Sequence, residues 1–270
     1  MVKNNTKDVF GIQRDLPLNY IERDADTIFK DALDRKHHVV IFGSSKQGKT
    51  CLRKKNLSSD DYIVVHCNNK MDLYALNVNI LKQAGFTVVI SETKSIEGRA
   101  KVKVGFGWNL FGKADFDSEL EGKKGNEKEY KQLELDPSDI NDVLKALKRL
   151  NFKKYIITED FHYLKEESQV DFAIELKAFH ENSNITFIVV GVWLEENRLI
   201  ALNGDLSGRI KSVNADEWKD DSLSSLINDG ETLLNISIPE ENKIRLIEKS
   251  LNNVYIVQEV CYQLCKMTKI

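Results

Sequence analysis

One glycine-rich stretch decides the fold of this chain, and it reads Ile41-Phe42-Gly43-Ser44-Ser45-Lys46-Gln47-Gly48-Lys49-Thr50. It contains the whole pattern G-x-x-x-x-G-K-[ST], between residues 38–42, which are predicted to form a short buried strand, and residues 50–56, which can open a helix. Gly43 and Gly48 permit backbone conformations that a Cβ would oppose. The N–H groups of the loop can therefore turn inward on a phosphate, at the positive end of the helix. The stretch predicts a phosphate-binding loop.

The chemistry of such a loop assigns roles to its residues. Lys49 is expected to reach the β- and γ-phosphates of a nucleotide, and Thr50 is expected to hold Mg²⁺. A chance glycine loop is the alternative, and the strand before the motif and the helix after it argue against that alternative. The candidate ATP-binding residues are Gly43, Ser44, Ser45, Lys46, Gln47, Gly48, Lys49, Thr50 and Cys51.

Length and composition indicate a globular protein. The 270 residues are 41% hydrophobic and 30% charged, so they suffice for one large domain or for a core with a small satellite. The formal net charge of -3 does not indicate a nucleic-acid binder. Apolar runs stay below the roughly 18 residues that a membrane span needs, and the start of the chain lacks the apolar core of a signal peptide. The spacing of the four cysteines suits neither a disulfide framework nor a zinc site, so a cytoplasmic protein is expected.

The apolar runs predict a three-layer α/β core of the P-loop type, with a mostly parallel five-stranded sheet. Near-continuous apolar strands separated by helices are typical of parallel sheets that are buried on both faces. Residues 1–215 are assigned to this core, and residues 216–270, where the pattern becomes helical, to a small lid. The five strands are expected near residues 39–43, 62–67, 154–158, 186–192 and 210–214.

Residues 92–134 are predicted to be an insertion in the core. Two stretches with alternating polar and apolar residues, at 100–107 and 114–120, are predicted to pair as a β-hairpin. Their register sets Lys103 opposite Asp117, and cross-strand pairs of opposite charge contribute roughly 0.2–1 kcal/mol each. The match of charges favours a self-contained hairpin over a nucleic-acid wedge. Its apolar face is expected to cover the protein's own core or a neighbouring subunit.

A second site element is predicted in the stretch Tyr155-Ile156-Ile157-Thr158-Glu159-Asp160. An apolar strand that ends in two acids is typical of a Walker B strand. Glu159 is expected to hold the Mg²⁺ shell, and Asp160 to orient or deprotonate the attacking water. The usual order is Asp and then Glu, and the reversed order predicts slow hydrolysis. The alternative is a strand end that is acidic by chance.

In this order, the parts resemble an AAA+ ATPase of the origin-recognition-like and STAND-like branch, over about residues 18–268. The specific parts are the phosphate loop, the pair Glu159-Asp160, and the run from Asn197 to Arg209 that a strand and then Trp218 follow. A looser part is the match of residues 253–258 to the last lid helix.

In that branch an arginine just before the fifth strand often reaches the γ-phosphate of a neighbouring subunit, and Arg209 matches this position. A surface or intramolecular role is the alternative for Arg209. The chain departs from the branch at two places. The strand near residues 186–192 does not end in a clear polar sensor, for which Asn197 is the nearest candidate, and the lid lacks an arginine where a second sensor would be expected.

The resemblance implies an ATPase that converts ATP and water to ADP and phosphate, with Mg²⁺ as its metal. It implies a nucleotide-dependent switch that assembles with itself or with an effector protein, and many members of the branch are modules of bacterial defence or mobile-element systems. A DNA-acting loader is an alternative, although a solvated helix face also explains the basic residues at 145–154. A small-molecule kinase is weaker, because Arg245 is the only arginine of residues 216–270.

Overall fold

The structure, a computed structural model, describes residues 4–11, 15–94, 100–106, 131–193 and 195–269. In this part of the chain a five-stranded sheet lies between two layers of helices. The strands are β1 (His38–Phe42), β2 (Tyr62–His66), β3 (Thr87–Lys94), β4 (Ala100–Phe106), β5 (Lys131–Leu135), β6 (Tyr155–Glu159), β7 (Phe187–Val190) and β8 (Ile210–Asn214). The main sheet has the order β2-β6-β7-β1-β8, and every neighbouring pair in it is parallel.

Helices connect these strands and continue beyond β8. Short 3-10 turns lie at Ser59–Asp61, Phe161–Tyr163 and Gly204–Leu206. The α-helices are α1 (Thr6–Val9), α2 (Asp24–Asp34), α3 (Lys49–Asn56), α4 (Leu73–Gln83), α5 (Ile140–Arg149), α6 (Glu166–Asn182), α7 (Arg198–Leu202), α8 (Asp220–Leu234), α9 (Glu240–Ser250) and α10 (Val254–Met267).

The prediction of a three-layer core with a parallel sheet is confirmed. Alternate residues of the central strand β1 point to opposite faces, because side chains in a strand alternate. Val39 and Ile41 pack with α2 and α3, whereas Val40 and Phe42 belong to the larger core beneath α4, α5 and α6. Every residue of β1 and β7 is buried, and all of them except His38 are apolar, as is typical of parallel strands covered on both faces.

All five predicted strands of the main sheet are present, and β7 differs most from its prediction. It ends at Val190 rather than near residue 192. Trp193 folds back over Gly191, so that a Cβ on this glycine would lie 1.5 Å from the indole ring. The turn ends the strand early and sets Trp193 beside the loop, where its carbonyl accepts a hydrogen bond from the Gly43 N–H.

Beyond β8 the chain forms a bundle of α8, α9 and α10 with a core of its own. Leu223 and Ile227 of α8, with Val257 and Cys261 of α10, are fully buried in this core. Phe10, just after α1, packs into the same core, although it precedes the sheet in sequence. The division of the chain into domains at residue 215 stays a prediction.

The inserted element is a three-stranded antiparallel sheet, in the order β3-β4-β5, rather than a hairpin. The hairpin partner predicted for β4, residues 114–120, lies outside the described residues, as does the apolar tip. Within the described part, β4 is paired along both edges, and Lys103 lies opposite Val89 on one side and Glu134 on the other. A strand has two edges, so the predicted register of Lys103 with Asp117 is wrong. A glutamate does lie opposite this lysine, but it belongs to β5.

A buried carboxyl group lies on the face of α6 that packs against α4. Glu175 is 5% exposed, and Asn77 Nδ2 donates to both of its oxygens at 3.0 Å. Burial raises the pKa of Glu175 to about 8, although the Asn77 hydrogen bond opposes the shift. The carboxyl group is therefore protonated in the folded protein at neutral pH.

We expect Glu175→Gln to remove part of the pH dependence of stability. Between the ordinary pKa of 4.5 and about 8, the unfolded chain loses this proton while the folded chain keeps it. The free energy of unfolding should therefore fall by about 1.4 kcal/mol per pH unit from this group, and level off above that range. Urea unfolding at pH 5 and pH 8 measures the difference. The control is Glu166→Gln, an exposed change on the same helix, and an unaltered slope in Glu175→Gln would contradict the expectation.

Candidate functional site

The glycine-rich loop lies at the carboxyl edge of the main sheet, between β1 and α3. Its backbone takes left-handed conformations at Gly43, Lys46 and Gly48, with φ of 132°, 65° and 88°. A Cβ on Gly43 would lie 2.6 Å from the Asp216 carboxylate, so this position requires glycine. The first N–H groups of α3 lack intrahelical acceptors by the geometry of any helix. They are available to an anion at this end of the helix.

Lys49 is buried, and its side chain curls back into the loop. Its Nζ donates to the carbonyl oxygens of Gly43 and Ser44 at 2.9 and 2.6 Å. Burial lowers the pKa of Lys49, and the carboxylates of Asp216, Glu159 and Asp160 oppose that shift. The amino group therefore lies among carbonyl oxygens that a phosphate can replace.

Glu159 ends β6 and is buried in an ion pair that the sequence analysis missed. Arg53 of α3 places Nε at 3.2 Å and Nη2 at 3.1 Å from Glu159 Oε1. The guanidinium also packs over the ring of Tyr62, at 4.8 Å from its centroid. Arg53 lies one turn of helix beyond Lys49, so a basic residue four positions after the motif lysine was the available signal. The pair fixes the carboxylate of Glu159 beside the loop.

Asp160 follows directly and takes a left-handed conformation, with φ of 57°. Aspartate tolerates this region better than most residues. Its exposed side chain does not cap the 3-10 turn that it begins. Burial lowers the pKa of His162. The Asp160 carboxylate opposes this shift and the Lys49 amino group adds to it, so the three groups interact electrostatically. The His162 ring accepts a hydrogen bond from the Val192 N–H at 3.2 Å, which ties this turn to the end of β7.

The linker from β8 to α8 contacts both ends of the loop. Asp216 accepts hydrogen bonds from the Ser44 N–H and hydroxyl, and the Trp218 indole donates to the carbonyl of Gln47 at 3.3 Å. Arg23 lies over the Trp218 ring at 3.8 Å from its centroid. Sequence reasoning missed Asp216. The signal was its position after a parallel strand, because the carboxyl ends of parallel strands meet at one edge.

A cavity of about 220 Å³ opens between the loop and the helical bundle. One wall is the start of α3 with residues preceding α2, and the other wall belongs to α8, α10 and the linker. Aromatic and apolar side chains supply most of the wall opposite the loop, as in pockets for small organic ligands. The cavity is lined by Gly11, Pro17, Tyr20, Ile21, Arg23, Lys46, Gly48, Lys49, Thr50, Cys51, Trp218, Leu226, Val254, Tyr255 and Gln258.

Comparison with solved structures identifies the fold. A Walker-type ATPase of Pyrococcus abyssi matches 92% of this chain and 69% of its own length, with a TM-score of 0.56 at 14% identity. A variant of RuvB from Thermotoga maritima matches 95% and 67%, with a TM-score of 0.51 at 11% identity. A signal transduction ATPase with numerous domains (STAND) from Pyrococcus horikoshii matches 87% of this chain but 28% of its own length, with a TM-score of 0.49 at 14% identity.

The chain has the P-loop ATPase fold of these proteins. The predicted resemblance to this class is confirmed at the level of the fold. Sequence comparison by itself does not reach this result, because no family model and no curated protein matches the chain. In this fold, the loop, the two acids and the cavity all lie at the carboxyl edge of the sheet, where open α/β sheets bind their ligands.

The residues at this edge suit a magnesium ion. Thr50, the second residue of α3, is exposed, and the Glu159 carboxylate lies beside the loop. Hydroxyl and carboxylate oxygens are ligands that Mg²⁺ accepts, with phosphates and waters completing its shell. Within the described residues there is no group of three or more His, Cys, Asp and Glu side chains able to hold a metal by themselves. This donor set therefore fits a metal that arrives with phosphates.

Arg209 lies at the other edge of the sheet, just before β8. Its Nη2 is 2.7 Å from Glu181 of α6, and its side chain is 30% exposed. The five residues of β8 span roughly 16 Å, so Arg209 is remote from the phosphate loop of its own chain. Asn197, the candidate sensor, directly precedes α7, and its carbonyl accepts a hydrogen bond from the Ala201 N–H. The structure brings together the loop and the acids but leaves Arg209 apart.

Tyr255 and Gln258 of α10 form part of the cavity wall. Tyr255 packs its ring against Lys46, with Nζ 4.0 Å from the ring centroid, and Gln258 lines the cavity beside it. Arg245 lies exposed on α9. In the described part of the chain, none of the helices has the length and apolar character needed to cross a membrane.

Proposed function

We propose that this chain binds ATP with Mg²⁺ at the loop and cavity, hydrolyses it slowly, and uses the nucleotide state to control assembly with copies of itself or with an effector. The observation that carries the proposal is the position of the Lys49 amino group. It lies inside a complete phosphate loop, is influenced by Asp216, Glu159 and Asp160, and belongs to a residue that lines the cavity beside the helical bundle.

Binding uses groups that are already in position. Lys49 exchanges the carbonyls of Gly43 and Ser44 for phosphate oxygens, which are stronger partners because they are charged. The N–H groups at the start of α3 donate to the same phosphates. The aromatic wall of the cavity, with Trp218 and Tyr255, offers flat apolar surface to a base. Thr50 and Glu159 would hold Mg²⁺, which would supply positive charge beside the phosphates.

In hydrolysis, Asp160 orients the attacking water molecule, because its side chain is exposed and does not cap the 3-10 turn. Its side chain is one methylene shorter than that of the glutamate usual at this position, so it reaches less far toward the water. Arg53 forms an ion pair with Glu159, which holds the carboxylate in place and offsets part of the negative charge that it would offer to Mg²⁺. Both features favour a slow reaction suited to a switch.

The proposal that the nucleotide controls assembly rests on the distance between Arg209 and the phosphate loop of its own chain. An arginine at the amino edge of the sheet does not reach the nucleotide of its own chain but is available to a neighbour's site. A location in the cytoplasm stays a prediction from the sequence. A place in a bacterial defence or mobile-element system rests on resemblance to the branch, and it is proposed as an analogy of fold.

The test of the proposed function combines three measurements on the unmodified protein. Calorimetric titration with ATP, with and without Mg²⁺, measures binding. Phosphate release measures turnover, and mass measurement with and without Mg-ATP measures assembly. We expect Mg²⁺-dependent binding, slow turnover that rises with protein concentration, and a larger mass with Mg-ATP. A protein that binds no nucleotide under any of these conditions would end the proposal.

Because the two acids are assigned separate roles, substitutions of Asp160 and Glu159 are expected to have different effects. Asp160→Asn is expected to stop phosphate release and leave ATP bound, because it removes the charge that orients the water. Glu159→Gln is expected to weaken the Mg²⁺ dependence of ATP binding. It should also lower the melting temperature, since removing one partner of a buried ion pair costs about 3–5 kcal/mol. If Glu159→Gln removed turnover with an unchanged response to Mg²⁺, the two roles would be reversed.

A further inference from the structure

An acidic side chain from outside the loop is hydrogen-bonded to its amino end. The backbone nitrogen of Ser44 lies 2.8 Å from Asp216 Oδ1 and 2.9 Å from Oδ2, and it donates to both. The Ser44 hydroxyl oxygen lies 2.9 Å from Oδ2. Gly43 lets the carboxylate approach this closely, because a Cβ there would overlap it. The loop therefore holds an anion of its own chain.

The same carboxylate acts on Lys49. Among the charged groups that influence this amino group, Asp216 has the largest effect, ahead of Glu159 and Asp160. A phosphate that approaches Lys49 and the Ser44 N–H therefore meets the negative charge of Asp216, which is already hydrogen-bonded to Ser44. Two like charges that share one cation repel each other, and the repulsion is stronger in a partly buried site than in water.

Asp216 belongs to a linker that leads straight into the helical bundle. Two residues later, Trp218 donates to the Gln47 carbonyl. Arg23 holds the linker from the other side, where its Nη1 donates to the carbonyls of Ala215 and Glu217 at 3.2 and 3.1 Å. The first turn of α8 begins at Asp220. Only four positions therefore separate the Asp216 carboxylate from the start of α8.

We propose that Asp216 is an internal anion that competes with nucleotide phosphates for the amino end of the loop and for Lys49. When a nucleotide phosphate displaces the Asp216 carboxylate, the linker and α8 move with it. This inference rests on the proposed function, which it deepens by naming the residue that sets nucleotide affinity and couples it to the bundle.

A competitor and a simple brace predict opposite signs for one substitution. If Asp216 only braces the loop, its loss should weaken both the fold and ATP binding. If it competes with phosphates, removal of its charge should tighten ATP binding although the nucleotide-free protein becomes less stable. Competition therefore predicts higher ATP affinity together with lower stability of the nucleotide-free protein. A purely structural role predicts that both fall.

The experiment compares Asp216→Asn with the unmodified protein and with Glu217→Gln. Glu217 is an exposed carboxylate next in sequence, bonded to Asn214 rather than to the loop. Calorimetric titration with Mg-ATP measures affinity, and thermal melting without nucleotide measures stability. We expect Asp216→Asn to bind Mg-ATP about tenfold more tightly and to melt at a lower temperature than the unmodified protein. Glu217→Gln should change neither value.

The outcomes separate this inference from the function beneath it. If the unmodified protein binds Mg-ATP and Asp216→Asn binds it equally or more weakly, the competition is overturned while the proposed function stands. If the unmodified protein binds no nucleotide, both are overturned. Should Asp216→Asn fail to fold, Asp216→Ser removes the same charge and keeps a short hydrogen-bonding group, and it is held to the same expectation.

Discussion

Replacement of Lys49 by alanine is expected to abolish tight binding of Mg-ATP while the fold remains. The Nζ group has two carbonyl partners inside the loop and is influenced by three carboxylates. A phosphate gains charge-assisted hydrogen bonds from it, each contributing about 1.5–3 kcal/mol. With the loss of two such bonds, affinity should fall by roughly 10²–10⁴-fold, which calorimetric titration detects readily.

The control for this variant is Lys54→Ala. Lys54 lies on the same helix, five residues further along, and forms an ion pair with Asp15 at 3.8 Å, so the substitution removes a positive charge away from the loop. We expect nearly normal affinity for Mg-ATP in Lys54→Ala and melting temperatures within a few degrees of the unmodified protein for both variants. Unchanged affinity in a folded Lys49→Ala protein would refute the assignment of the loop.

The core of the fold could be predicted from the sequence because its signals are local. Buried parallel strands are apolar along their whole length, and helices separate them at regular intervals. The loop motif fixes the backbone at three left-handed positions within six residues. The strand β6 and the acids after it follow the same logic, since an apolar run that ends in Glu159 and Asp160 can be recognised without knowledge of its neighbours.

The rest of the site depends on contacts between residues distant in sequence. Asp216 meets Ser44 across 172 positions, and Arg53 meets Glu159 across 106. The topology of the sheet creates both contacts, because β8 and β6 end at the edge where the loop lies. The register of β4 failed for a related reason. Alternating strands satisfy several partners equally well on local grounds, and only the folded chain selects β3 and β5.

The position of Arg209 leads to the other large expected effect. At rest, its guanidinium bonds to Glu181 on the surface, and surface ion pairs are weak, at about 0–1 kcal/mol. A neighbouring subunit that brings a γ-phosphate to this edge offers a stronger partner. An arginine supplied in this way stabilises the charge that spreads in the transition state and is worth roughly 10³–10⁵ in rate where it is well documented.

We therefore expect Arg209→Ala to lower the rate of phosphate release by a large factor at high protein concentration and to leave ATP affinity nearly unchanged. A single subunit lacks the arginine at its own site, so turnover of the unmodified protein should rise with concentration, and Arg209→Ala should flatten that rise. Lys177→Ala is the control. It removes a positive charge from the same surface, where Lys177 pairs with Asp205 at 2.7 Å.

A mixing experiment then decides whether Arg209 acts on a neighbour. Arg209→Ala subunits keep Asp160, and Asp160→Asn subunits keep Arg209, so each supplies what the other lacks. In a mixed assembly, some sites contain Asp160 from one chain and Arg209 from the next, and hydrolysis should partly return. If the mixture stays inactive while mass measurement shows that the two variants assemble, Arg209 does not act between subunits. Its role is then confined to its own chain, where it bonds to Glu181 and to the Asp205 carbonyl.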